Sequence, residues 1–154
     1  MTTSETGRPP VLLGEVRARR AELRQSISGL ERALAGAAGD GRGWARRVDE
    51  AAAQLAGDFE VHVAVTEGTD GLYQDLLRTA PRLASPVAEL TADHGMVRER
   101  IEGLRACLDK VEGPGDVARV RELGTDLIGV LLRHRQRGAD LVYEAYQVDI
   151  GGET

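Results

Sequence analysis

The sequence predicts an all-α protein, folded as an antiparallel up-down-up-down four-helix bundle. Its 154 residues are 42% hydrophobic but only 3% aromatic, and the abundant Ala, Leu, Arg and Glu favour helices over strands. Clusters of glycine and proline at 36–43, 80–86 and 113–115 divide the chain into four long pieces. Within each piece, apolar residues recur at steps of three and four, the spacing of a buried helix face.

The length is that of one ordinary domain. We expect the bundle to occupy residues 11–148, preceded by a disordered tail at 1–10 and followed by a short tail at 149–154.

The first two predicted helices each carry one polar residue on the inward face. In the first, over residues 11–35, the apolar face includes Leu23, Ile27 and Leu30, and Arg20 falls in the same stripe. In the second, which follows Gly43, the exception is His62. The glycines within 68–71 are expected to kink or interrupt this second helix.

The third and fourth helices repeat that arrangement. Ser85 is a candidate N-cap with Pro86 in the first turn of the third helix, whose inward stripe contains His94. Asp116 is a plausible cap for the fourth helix, and His134 interrupts its apolar stripe. Each histidine of the protein is therefore predicted to face the core.

An internal repeat relates the two halves of the chain. Arg20 aligns with His94, and His62 aligns with His134, with matching Leu, Ile and Gly positions around them. In an antiparallel bundle this alignment puts the four residues in one cross-sectional layer. Because neutral imidazoles donate lone pairs to transition metals, metal binding is the leading hypothesis for that layer.

At these motifs the sequence resembles the hemerythrin-like (HHE cation-binding) family. The resemblance covers nearly the whole chain and is carried by three stretches with their surroundings: Phe59-Glu60-Val61-His62, Ala92-Asp93-His94, and His134 followed by Leu141-Val142-Tyr143-Glu144. It implies a non-haem di-iron centre inside an up-down four-helix bundle. Carried over by position, it implies His62, His94 and His134 as metal ligands.

The chain departs from the family pattern at three positions. Arg20 stands where the resemblance implies a first-helix His, and Thr66 and Gly138 stand where it implies carboxylates. Glu67 is the best remaining carboxylate and a candidate fourth ligand. Asp140 points away from His134 on a regular helix and would need a local bulge to approach it.

These departures favour a mononuclear iron site, or an incomplete di-iron site, over a complete di-iron centre. Thr66 and Gly138 are small and leave room beside the metal for water or a diatomic ligand such as oxygen or nitric oxide. Tyr143 and Tyr73 are candidates to flank that pocket. The implied function is sensing or handling of oxygen, nitric oxide or redox state, and whether the protein is an enzyme stays open.

Arg20 is predicted to behave in one of two ways. A buried guanidinium needs a carboxylate, for which Glu67 is the candidate, and that pair would lock the layer without any metal. Alternatively, Arg20 tilts outward along its aliphatic stem and leaves the pocket to the imidazoles.

Two alternative functions come from other classes. One is a metal-free regulatory or interaction module descended from a metal-binding bundle. The other is a histidine phosphotransfer bundle, which the run from His134 to Gly138 resembles, although the inward placement of His134 disfavours it. Sequence signatures of hydrolases and nucleotide-binding loops are absent.

The charge pattern excludes several partners. A net charge of −5 offers no broad positive field for nucleic acid, and no apolar run reaches the ~20 residues of a membrane span. The arginine-rich faces at 17–24 and 133–137 are expected to be solvated surface with carboxylate partners at i,i+4. Without a basic, apolar leader at residues 1–10 and with a single cysteine, we expect a cytoplasmic protein.

Overall fold

The computed structural model describes residues 8–148, with side chains described over 14–146. Residues 1–7 of the tail predicted at 1–10, and the tail predicted at 149–154, lie outside the described residues. The first helix begins at Arg8, so residues 8–10 are helical and not part of a tail. The helices are α1 (Arg8–Ala35), α2 (Arg42–Glu67), α3 (Leu72–Thr79), α4 (Ala84–Leu108) and α5 (Pro114–Tyr143), with a 3₁₀ turn at Pro81–Leu83 and a π-helical turn at Glu144–Val148.

The four long helices form the predicted bundle. Helix α1 packs on α2, α2 on α4, α4 on α5, and α5 on α1, so each helix has two neighbours around a common axis. The short α3 lies across one end and contacts α1 and α2. The all-α, up-down-up-down prediction is confirmed.

Local sequence explains where the helices end. Gly39 and Gly41 in the first connection have φ angles of 55° and 94°, a left-handed conformation that glycine adopts without steric cost. Helix α2 ends at Glu67, so the predicted interruption at 68–71 is a complete break followed by α3. The predicted cap of the last helix is displaced: Gly113 takes the N-cap position of α5, and Asp116 lies at the third helical position. From there its carboxylate accepts the backbone N–H groups of Glu112 and Gly113 at 2.9 and 3.2 Å, as in a capping box.

The predicted cap of the third helix is wrong. Helix α4 begins at Ala84, directly after the 3₁₀ turn, and Leu83 takes the N-cap position. Ser85 therefore lies inside the first turn, where its hydroxyl is not needed as a cap, and Pro86 is tolerated there because the first-turn N–H groups have no helical partner.

The apolar core consists of two clusters. The larger one surrounds Trp44, Leu55, Leu104 and Leu127 near one end of the bundle. The smaller one, which includes Leu76, Leu83 and Leu141 and which we call the α3-end cluster, fills the other end. Along α1, α4 and α5 the buried residues pass from one cluster to the other, and on α2 Val63 belongs to the larger cluster while Val65 packs against the smaller. The polar layer described next lies at this transition.

Within residues 8–148, none of the helices combines the length and the apolar character that a bilayer crossing requires.

Candidate metal centre

Three histidines meet in the middle of the bundle. His62 comes from α2, His94 from α4 and His134 from α5, and each lies where its helix passes from one core cluster to the other. His94 and His134 are 1% and 2% exposed. The sequence-predicted layer is therefore confirmed for the imidazoles, and Arg20 of α1 lines the same cavity as His62 and His134.

The three rings are close enough to share one ion. Their centroids lie 4.9 to 5.4 Å apart, and one ligand nitrogen from each histidine lies within 4.8 Å of the other two. The Nε2 atoms of His62 and His134 are 3.2 Å apart. Two imidazoles bound to one ion at ~2.1 Å place their nitrogens roughly 3.0–3.4 Å apart, so the spacing of this pair matches that of two ligands on one ion.

Two of the rings are each oriented by a carboxylate that contacts their Nδ1 atom. The Nδ1 of His134 lies 3.0 Å from Asp93 Oδ2, and the Nδ1 of His94 is hydrogen-bonded to Glu67 Oε2. An imidazole that donates its Nδ1–H to a carboxylate has its lone pair on Nε2. A metal-binding histidine is commonly held by such a partner.

Burial keeps the imidazoles neutral. It lowers the pKa of His62 to about 3, and the neighbouring His134, His94 and Arg20 act in the same direction. Burial also lowers the pKa values of His94 and His134, against the opposing effects of Glu67 and Asp93. Neutral imidazole is the form that binds a metal ion, so the donor set fits one transition-metal ion.

The sequence comparison agrees with this geometry. The family model of the Hemerythrin HHE cation binding domain matches residues 13–146. The chain belongs to that family. No curated protein and no solved structure matches it significantly. The hemerythrin-like resemblance drawn from the histidine motifs is confirmed.

Glu67 does not take the position expected of it in this hemerythrin-like bundle. Its carboxylate contacts His94 Nδ1, on the side of the ring away from the Nε2 that faces Tyr73. It therefore orients a histidine in the structure. The predicted Arg20–Glu67 ion pair is not among the contacts of the described residues, because Glu67 is used by His94.

Arg20 follows the second of its two predicted behaviours only in part. Its side chain lines both the inner cavity beside His62 and an open groove on the outside of α1 and α5. Among the described residues it makes no hydrogen bond or ion pair. Burial and the charges of Arg135, Arg17 and Arg24 lower its pKa.

A small cavity adjoins the histidines, as predicted from Thr66 and Gly138. Both residues line it, together with Tyr73 and the apolar side chains Leu131 and Leu141. Its volume is about 30 Å³, enough for one or two water-sized molecules. The Tyr73 hydroxyl lies 3.4 Å from His94 Nε2.

The structure places Asp140 and Tyr143 outside this cavity. Asp140 is exposed and accepts a hydrogen bond from Gln136 at 2.8 Å, and the π-helical turn begins only at Glu144, too late to rotate Asp140 toward His134. Tyr143 is 67% exposed. The inward position at this level is filled by Val142.

Asp93 is the site residue that the sequence analysis missed. It is 8% exposed, and it receives both His134 Nδ1 and the Arg137 guanidinium. A signal was present in the sequence, since position 93 lies three residues after the buried Leu90 and four before the buried Val97. A carboxylate at that spacing on a core face needs a partner.

The burial of His134 also bears on the phosphotransfer alternative. An acceptor histidine must reach the active site of another protein, whereas His134 is 2% exposed and its two nitrogens face Asp93 and His62. The geometry therefore disfavours phosphoryl transfer.

Proposed function

We propose that this hemerythrin-like protein binds one non-haem iron ion through the Nε2 atoms of His62, His94 and His134. The observation that supports the proposal is the convergence of three neutral imidazoles, two of which are oriented by buried or half-buried carboxylates. A core that needed only packing would favour aliphatic residues at these positions.

The donor set favours a single ion over a pair. Two neighbouring irons are normally bridged by carboxylates, but Thr66 and Gly138 stand at the positions where the family pattern implies them. Glu67 and Asp93 are each hydrogen-bonded to the Nδ1 of a histidine. Imidazole binds Fe, Zn, Cu and Ni, and the resemblance to non-haem iron bundles favours iron among these.

The cavity suits a small ligand. Ferrous iron with only three protein ligands supplies open coordination positions and one-electron chemistry toward oxygen or nitric oxide. Around that position, Leu131 and Leu141 exclude bulk water, and Tyr73 presents a hydroxyl as a hydrogen-bond donor. We therefore propose that the protein senses or handles oxygen, nitric oxide or redox state.

The test is the metal content of protein purified after expression with iron. We expect about one iron per chain in the unmodified protein and little in His62→Ala, His94→Ala or His134→Ala. Glu60→Ala is the matched control, because Glu60 lies on α2 close to His62 but forms an exposed pair with Arg98. Equal iron content in all five proteins would contradict the proposal.

A second candidate function is the metal-free regulatory module. It is supported by the fact that each of the three imidazoles already has a hydrogen-bond partner, including the contact between His62 Nε2 and His134 Nε2. If it holds, the purified protein contains no stoichiometric metal, and its thermal stability is the same with and without chelator.

A further inference from the structure

An open groove beside the histidine layer is lined by four arginines. Arg17, Arg20 and Arg24 line it from α1 and Arg135 lines it from α5, together with the small Ala21. The groove measures about 380 Å³. Positions 17, 20 and 24 recur at helical spacing, so the three α1 guanidinium groups share one face.

Among the side chains that the structure describes, these four arginines have none of the carboxylate partners that the sequence pattern predicted for them. Elsewhere, arginines pair with acids across helices, as in Arg98 with Glu60 and Arg105 with Asp49. Within the described part of the chain, none of the four in the groove forms an ion pair or a hydrogen bond. The net charge of the protein is −5, so a groove with four unpaired positive charges has a local charge opposite in sign to that of the whole molecule.

The groove also adjoins the inner cavity. Arg20 and Arg135 line both spaces, so they form the wall between solvent and the histidines. Burial lowers the pKa of Arg20, and repulsion from the positive charges of Arg135, Arg17 and Arg24 lowers it further. An anion in the groove would relieve both the repulsion and the missing hydrogen bonds.

We propose that this groove is a binding site for a small phosphate-type oxyanion, held by Arg20 and Arg135 and by the longer-range charge of Arg17 and Arg24. The planar guanidinium fork matches two oxygens of such an anion. Aromatic side chains that could stack a base are missing from the groove lining, so the recognised feature is the oxyanion itself. This site does not require a metal.

A second consequence rests on the proposed iron site. Arg20 lines the same cavity as His62 and His134, so its positive charge disfavours a second positive charge there. A bound oxyanion neutralises Arg20, so it raises the affinity of the histidines for a divalent metal. By linkage, the metal raises the affinity for the anion by the same factor.

The test uses metal-free full-length protein and inorganic phosphate, with binding measured by calorimetry at constant ionic strength and with chloride as the comparison anion. We expect saturable phosphate binding, weakened about tenfold or more by Arg20→Gln and by Arg135→Gln, because each removes a charge-assisted hydrogen bond. Arg100→Gln is the control, since it removes the same charge from an exposed position on α4. Circular dichroism checks that each variant is folded.

Two further measurements sharpen the result. Arg20→Lys keeps the charge but not the fork, and we expect it to bind phosphate more weakly than the unmodified protein. Measuring glycerol phosphate in place of inorganic phosphate shows whether the natural ligand is a free ion or a phosphate ester. If glycerol phosphate binds at least as tightly as inorganic phosphate, the natural ligand is a phosphate ester.

The proposal is overturned if Arg20→Gln, Arg135→Gln and Arg100→Gln bind phosphate equally, or if phosphate binds no better than chloride. Its fate is separable from that of the iron site. If the metal-free protein binds phosphate but the protein expressed with iron contains none, the groove is supported and the proposed function is contradicted. If the protein binds iron but the metal-free form does not bind phosphate, the proposed function stands and the groove is contradicted.

Discussion

His62 stays uncharged at pH values where an exposed histidine is protonated, and this determines how the metal-free protein responds to acid. Its pKa is lowered to about 3 by burial and by nearby positive charge. In the unfolded chain it returns to ~6.5. The unfolded state therefore binds the proton more readily, so the contribution of His62 to stability is complete above pH ~6.5 and is lost as the pH falls toward 3.

The first prediction follows from this difference. Between pH 7 and pH 4.5, His62 should remove about 2.5 kcal/mol from the free energy of unfolding of the metal-free protein. Urea denaturation at the two pH values measures the loss, and His62→Gln should show a loss smaller by that amount. The same acid sensitivity in both proteins would mean that His62 titrates normally in the folded state.

Asp93 acts on the metal through His134. Replacing it by Asn keeps the size of the side chain but weakens the acceptor for His134 Nδ1 and removes the charge that pairs with Arg137. We predict a 10- to 100-fold lower metal affinity for Asp93→Asn, measured by competition with a chelator. The control is Glu60→Gln, which alters an exposed carboxylate, and an equal loss there would exclude a specific role for Asp93.

At the level of single residues, the sequence predicted the three imidazoles but not the way they are held. Helical spacing was enough to place His62, His94 and His134 on core faces, because the period of a helix determines which side chains point inward. The partner of each Nδ1 depends on which neighbouring helix presents a carboxylate at the same height. Asp93 binds a histidine of α5 although it precedes His94 in the chain, and no local pattern specifies that contact.

The turn between α2 and α3 is the element on which the cavity depends. The turn follows directly after Glu67 and leads into α3, whose second residue, Tyr73, lines the cavity. Gly71 is packed against the backbone here, since a Cβ at this position would lie 2.8 Å from the carbonyl oxygens of both Val65 and Thr66. Those atoms belong to the last turn of α2 and cannot move aside cheaply.

We therefore predict that Gly71→Ala destabilises the protein by about 1–3 kcal/mol and also alters ligand access at the histidines. Gly57→Ala is the matched variant, because a Cβ at Gly57 on α2 meets nothing within 4 Å. The propensity of alanine for a helix interior should stabilise that protein by up to about 1 kcal/mol. Chemical denaturation of the two variants gives the comparison, and effects of the same sign would contradict this account of the turn.

At the level of elements, glycine and proline predicted the connections well. The interruption at 68–71 became a full break because the chain turns across the bundle end, where α3 buries Leu72, Tyr73 and Leu76. The cap at Ser85 failed because a 3₁₀ turn already led into the helix. Both outcomes depend on packing at the end of the bundle. The three- and four-residue spacing of apolar residues carries no information about that packing.

For the whole molecule, a bound metal would act as a cross-link between α2, α4 and α5. Metal at 100 times its dissociation constant adds about 2.7 kcal/mol to the free energy of unfolding. For a chain of this size we predict a rise in Tm of roughly 5–10 °C, measured by calorimetry with and without the ion. His134→Ala should show little shift, and an equal rise in that variant would place the metal elsewhere.

The position of the polar layer between two apolar clusters has a consequence for amide hydrogen exchange. The larger cluster joins all four long helices, whereas the α3-end cluster is smaller and lies where helices α1 and α5 approach their outer ends. Amides around Leu104 and Leu127 should therefore exchange only through global unfolding, and those around Leu76 and Leu83 through a cheaper opening of one end. A metal ion bound at the boundary between the two clusters would raise the free energy of opening the α3 end toward that of global unfolding. The exchange rates of the α3-end amides would therefore report whether the histidine site is occupied, although none of these amides contacts the metal.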